Sequence, residues 1–155
     1  MTIAISRTRR MALVIGTLVI LAGMVLAYEV VATAPVRQAV RAYSELISVG
    51  NRPDLSDAQR LASAGQLCSA RFLAEHKLAL GPEGGIAGLP RTMNKNFQAW
   101  RQGENVWLCP TNRIGPVYQF VRENGQWRFD GLVALLRPRG ELIPAKDLSD
   151  LLQQD

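Results

Sequence analysis

Residues 11–28 contain no charged side chain, and Arg7, Arg9 and Arg10 stand directly before them. As a helix rising about 1.5 Å per residue, that run spans roughly 27 Å, close to the thickness of a bilayer's hydrocarbon core. The arginines are expected to remain on the cytoplasmic side, which delivers everything after Tyr28 across the membrane. An uncleaved signal anchor over 11–31 is one reading. A cleavable secretory peptide is another, with Val25-Leu26-Ala27 a usable small-residue site before Tyr28. Ala32-Thr33-Ala34 is better on residue size but is obstructed by Pro35. Leu21-Ala22-Gly23 resembles the start of a lipobox, yet Met24 stands where the acylated cysteine is required, so a lipoprotein is excluded. A buried helix of a soluble protein fits poorly with the N-terminal position and the arginines.

The expected organisation is a cytoplasmic basic segment over 1–10, a transmembrane anchor over 11–31, an exported α+β domain over 35–144 and a short helical tail over 145–155. About 120 residues remain for the exported part of this 155-residue chain, enough for one core. The net charge of +5 does not indicate nucleic-acid binding. Three of the 18 basic residues precede the apolar run while all 13 acids follow it. The exported part therefore carries only about +2, scattered and without a stripe interleaved with aromatics. Expected partners are the bilayer, through 11–31, and a protein partner or a second copy.

Beyond Tyr28, Pro35 suits the first turn of a helix whose apolar face is Val36, Ala39, Val40, Tyr43, Leu46 and Ile47. Arg37, Arg41 and Glu45 take the opposite face at i, i+4 spacing, and Gly50 ends the helix. A second helix starts at Ser56 or Asp57, with Ala58, Leu61, Ala62, Gly65, Cys68 and Phe72 as a mostly small apolar face, breaking near Ser69. After a glycine-rich loop over 81–88 the period becomes strand-like. Strands over 97–101 and 106–110 form one hairpin. Strands over 117–122 and 126–133 form a second around Asn124-Gly125, a dipeptide whose two residues tolerate positive φ. A final helix over 146–153 would carry Leu148, Leu151 and Leu152. Helices followed by at least four antiparallel strands argue for α+β, with helices packed on a curved sheet.

That order resembles the nuclear-transport-factor-2-like superfamily, a cone of bent sheet around N-terminal helices. The residues carrying the resemblance are the first helix ending in Leu46-Ile47-Ser48-Val49-Gly50-Asn51 and the strand Asn124-Gly125-Gln126-Trp127-Arg128-Phe129-Asp130-Gly131. It covers roughly 35–136, departs from the family over 78–96, and implies a fold more than a function. Members include isomerases, dehydratases, binding modules and membrane-tethered secretion-system components.

Several residues are candidates for chemistry. His76 is the single histidine and an acid–base candidate near neutral pH, or a surface residue at a helix end. Asp130 and Tyr118 on partner strands would make a carboxylate–phenol pocket of the isomerase type, or Asp130 would stabilise a bulge before Gly131. Cys68 and Cys109 would form a disulfide in an oxidising compartment, or remain separate buried thiols. Trp100, Trp107 and Trp127 would fill the cone or form an exposed binding surface, with Trp107 opposite the face of Val106 and Leu108. Arg91, Lys95, Arg101 and Arg113 gather around the first hairpin, a solvated face or a contact for acidic groups. Pro82-Glu83-Gly84-Gly85 lacks the Lys-Ser/Thr ending of a phosphate loop. No metal or cofactor motif is present. A non-catalytic interaction module is the leading expectation, and a small-molecule pocket or isomerase-like enzyme the alternative.

Overall fold

A computed structural model describes residues 7–81, 85–111 and 114–147, and within the first helix the side chains of 7–14, 25–27 and 30–31 lie outside that description. The expected tail helix falls largely outside it too, as do residues 82–84 and Arg113. The chain divides into two compact units, Met1–Pro35 and Val36–Asp155.

Helix α1 (Arg7–Gly50) enters both units. It does not begin at Pro35 as the sequence suggests; that proline sits inside it, where it withholds one main-chain N–H from the helical ladder. In the first unit Ile15, Leu18, Val19, Ile20, Leu21 and Met24 are each more than half exposed. Among the described residues no helix is long and apolar enough to cross a membrane, and the expected span over 11–31 includes the positions whose side chains are not described.

In the second unit α1 presents the predicted stripe. Ala39, Tyr43 and Leu46 are buried, with Val36, Val40 and Ile47 packed beside them. Helix α2 (Asp57–Leu67) starts at a capping box in which Ser56 and Gln59 satisfy each other's main-chain N–H groups. Most of the expected stripe, Leu61, Gly65, Cys68 and Phe72, turns inward. Ala64 is buried and Leu61 and Leu67 are half-buried, while Ala58 and Ala62 are exposed. Leu67 gains more on burial than an alanine, which tilts the helix away from Ala58 and Ala62. The predicted break at Ser69 is present: its hydroxyl caps helix α3 (Ala70–Glu75) by accepting the N–H of Phe72 at 3.0 Å.

Five strands form one antiparallel sheet in sequential order: β1 (Gln98–Gln102), β2 (Asn105–Cys109), β3 (Gly115–Glu123), β4 (Gln126–Leu136) and β5 (Leu142–Pro144). The β3–β4 hairpin turns at Asn124 (φ 50°) and Gly125 (φ 79°), the conformation that this dipeptide favours. β4 has two register shifts against β3. Phe120 pairs with Phe129 and Gln119 with Gly131, leaving Asp130 as the extra residue; a second irregularity falls at Val133. Such bulges increase local twist and account for the curl of the sheet.

β4 is covered along its outer edge by two devices. β5 pairs with Ala134–Leu136 at one end. Nearer the other end, Cys68 bridges Phe129 in parallel, and the Ser69 N–H donates to the Phe129 carbonyl at 2.8 Å. The α2–α3 junction thereby supplies the hydrogen bonding that an open strand edge would lack.

Candidate functional site

The main core lies between the helices and one face of the sheet. Tyr43, Phe120, Phe129, Leu46, Val106 and Leu108 are fully buried there and Trp127 nearly so. Tyr43 is central: its ring lies 6.0 Å from both Tyr118 and Phe120, and Phe129 is 5.6 Å from Tyr118 and 5.8 Å from Phe120. These tilted and edge-on contacts fill the interior in the geometry that aromatic quadrupoles prefer. The Tyr43 hydroxyl donates to the Thr92 carbonyl at 3.0 Å. Burial pushes its pKa well above the ordinary phenol value, with Tyr118 adding to the effect.

The tryptophans divide. Trp127 belongs to this core and donates its indole N–H to Gln38 Oε1 at 3.1 Å. Trp100 and Trp107 are cross-strand partners packed against a second cluster of Cys109, Val117, Ala134 and Leu136. Their rings meet edge-on at 6.2 Å, and Trp107 Nε1 donates to Gln119 Oε1 at 3.0 Å. Trp107 therefore opposes Val106 and Leu108, as strand alternation requires. Trp100 does not join the interior.

Asp130 and Tyr118 do not meet in a carboxylate–phenol pair. Strand alternation puts Asp130 on the face opposite Phe129 and Tyr118, where its carboxylate meets Ser69, Arg71 and Gln119. Its Oδ1 accepts a hydrogen bond from the Ser69 hydroxyl and one from Arg71 Nε at 3.1 Å. Oδ2 accepts from Arg71 Nη2 at 2.7 Å and from Gln119 Nε2 at 2.8 Å. Arg71 Nη2 also reaches the Asp130 main-chain carbonyl at 2.7 Å, and Arg71 Nη1 pairs with Glu75 at 3.2 Å. Burial alone would raise the Asp130 pKa. The hydrogen bonds from Arg71, Ser69 and Gln119, with the Arg71 charge, outweigh it and hold the carboxyl below the usual carboxylate range. The aspartate is thus ionised and saturated with donors. Tyr118 packs instead on Tyr43 and Phe129, and burial raises its pKa.

His76 lies at the end of α3, exposed, with its ring stacked on Phe72 at 4.6 Å and its main-chain N–H bonded to the Phe72 carbonyl. It is not brought to Asp130 or Tyr118. Cys68 and Cys109 are both free and buried, the second of the two readings, and no bridge joins them. Cys68 ends α2 against β4 in the main core, whereas Cys109 ends β2 in the second cluster, 3.4 Å from the Thr111 hydroxyl. Burial pushes the Cys68 thiol up to about 12. Arg101 turns onto its own hairpin, donating to the Gly103 carbonyl at 2.9 Å, and Arg91 lies against Gly85. Among the described residues no group of three His, Cys, Asp or Glu side chains is placed to hold a metal ion.

Among the described residues, two of the clefts on this unit bear on function. One, of about 740 Å³, runs between α1, α2 and the β3–β4 hairpin, and Arg41, Glu45, Arg122 and Arg128 line it. The other, of about 460 Å³, opens beside Tyr43 and Tyr118, with Met93, Pro90, Pro110 and Pro116 in its walls.

Ser69, Arg71 and Gln119 are the polar partners that sequence reasoning did not single out. Ser69 carried a signal, its position at a helix break, but Arg71 and Gln119 carried none that separates them from surface residues. No family model, curated protein or solved structure matches this chain.

Proposed function

We propose that this chain is a membrane-tethered interaction module, its folded unit held outside the cytoplasm to engage a protein partner or a second copy, without catalysis of its own. The observation that carries the reading is the state of Asp130. Its carboxylate is ionised and accepts hydrogen bonds from Ser69, Arg71 and Gln119. A general base needs a free lone pair within reach of substrate, and this one is spent on tying α3 to the bulge of β4. The space beneath the sheet is filled by Tyr43, Phe120 and Phe129, which further supports a packing role for the core.

The anchor over 11–31 belongs to the same proposal. Its support is the basic segment before it and the outward exposure of Ile15, Leu18, Val19, Ile20, Leu21 and Met24. A helix apolar on all sides suits lipid better than water. Helices layered on a curled antiparallel sheet agree with the nuclear-transport-factor-2-like resemblance, which stays a likeness of architecture.

One observation favours a second reading, a binder of a small molecule: the 460 Å³ cleft beside Tyr43 and Tyr118 has the size of a ligand pocket, with Met93 and three prolines facing Arg91, Thr92 and Asn94 in its walls. Native mass spectrometry of the full-length chain, released gently from its own membranes, separates the two. A protein complex or homodimer is expected. A single chain carrying a small-molecule mass, lost in Tyr118→Ala, overturns the interaction module in favour of the pocket.

A further inference from the structure

The larger cleft is distinguished by its charge and by its surplus of donors. Its charged lining residues are three arginines, Arg41 on α1, Arg122 on β3 and Arg128 on β4, against one carboxylate, Glu45. The i, i+4 spacing of Arg41 and Glu45 invites an ion pair, yet among the described residues none of the three arginines is in one. The amides beside them add donors. Gln38 Oε1 is occupied by the Trp127 indole N–H, and Gln126 Oε1 by Arg128 Nη2 at 2.7 Å. In both glutamines the acceptor is used and the NH₂ group remains available. The cleft therefore presents many N–H donors and few acceptors.

Its natural complement is a ligand rich in acceptors and negative charge. The volume of about 740 Å³ and the origin of the arginines on three separate elements suit a chain with carboxylates spaced along it better than a single compact anion. Peptide carbonyls would engage the glutamine amides, and carboxylates the planar guanidinium forks. Glu45, on the same wall, would oppose a dense dianion such as phosphate while accepting a peptide N–H. We infer that this cleft is a docking site for an acidic, Asp/Glu-bearing peptide segment of a partner protein. The inference rests on the interaction-module reading above and names the chemistry of its partner.

The test is calorimetric titration of the full-length chain, in neutral detergent at low salt, with a hexaglutamate peptide. Inorganic phosphate and vesicles containing anionic lipid serve as parallel probes. Hexaglutamate is expected to bind, and more weakly as salt is raised. Arg41→Gln with Arg122→Gln is expected to weaken binding about tenfold, because it removes two exposed charge pairs. Both side chains are exposed, so an unchanged melting temperature verifies that the fold survives. Glu45→Gln is expected to tighten binding severalfold. No heat with hexaglutamate, equal affinity in the double variant, or binding of phosphate or vesicles in its place overturns the assignment. None of these outcomes bears on whether the chain forms the complex proposed above.

Discussion

Arg71 grips Asp130 twice: its Nη2 lies 2.7 Å from the carboxylate Oδ2 and 2.7 Å from the residue's own main-chain carbonyl oxygen. One guanidinium thus fixes both the side chain and the backbone of the extra residue in the β4 bulge. The aspartate is only 3% exposed while the Arg71 side chain is 52% exposed, so the two partners differ in what their loss costs. Removing Asp130 leaves the Ser69 hydroxyl and a Gln119 amide without their acceptor, in a buried position. Asp130→Ala should destabilise by about 2–4 kcal/mol, and Arg71→Ala by a similar amount because it strands a buried charge. In a double-mutant cycle read by urea unfolding, the two losses should add to clearly more than the double variant shows. Strict additivity would mean that the pair is not coupled.

The same carboxylate sets a pH dependence. Its folded pKa lies below the ordinary carboxylate value, so the stabilisation is complete above the unfolded pKa near 3.9 and is lost as pH falls through the folded value. The stability difference between the native chain and Asp130→Asn should be constant above about pH 5 and shrink steadily below it. A difference that grows on acidification would reverse the sign of the shift and remove the argument.

Gly131 follows the bulge with φ +107°, and a Cβ there would stand 3.3 Å from Phe72 Cδ2. Only glycine adopts this backbone without strain, and Phe72 is held from behind by Phe129 at 5.0 Å and by the His76 stack. Gly131→Ala should therefore cost about 1–3 kcal/mol, seen as a lower urea midpoint with an unchanged slope. A near-neutral variant would show that Phe72 has room to retreat.

How far the sequence led depends on the range of the interaction that decides each feature. Ser56 with Gln59, Ser69 at its break, and Asn124-Gly125 were legible because a cap or a turn is settled within four residues. The stripe through Ala39, Tyr43 and Leu46 was legible from its period. The inner face of helix α2 was legible at Leu61, Gly65 and Cys68 but not at Ala58 and Ala62, since small residues fit several faces and tertiary contact decides among them. The Asp130–Tyr118 pairing fails by strand alternation: Phe129 shares the Tyr118 face, so Asp130 falls on the other one with Gln119. Asp130 before Gly131 hinted at the bulge, but nothing local announced Arg71, 59 positions away in the chain. The arginine cleft was invisible for the same reason, being assembled from α1, β3 and β4.

Cys68 and Cys109 lie in different clusters, and both are buried and unbridged. With its pKa pushed up to about 12 by burial, Cys68 carries almost no thiolate at neutral pH, and the thiolate is the reactive form. Iodoacetamide should leave the native chain unlabelled over minutes and add two groups after unfolding without reductant. An unfolded, unreduced chain that takes up none would demonstrate a disulfide and contradict the separation of the two cysteines.

Tyr43 holds α1 in place in two ways that substitution can pull apart. Its hydroxyl bonds the Thr92 carbonyl at 3.0 Å, and its ring packs against Tyr118 and Phe120. Tyr43→Phe keeps the ring and removes one donor, a loss of about 1 kcal/mol. Tyr43→Ala also empties the centre of the core, and large aromatic truncations there cost about 3–5 kcal/mol. The two variants, compared by urea unfolding, should differ by at least about 2 kcal/mol if the ring rather than the hydroxyl holds α1 in place. Equal losses would assign the attachment to the single hydrogen bond at Thr92. The filled interior would then contribute far less to stability than its burial indicates, and the case for a packed core over an open pocket would weaken with it.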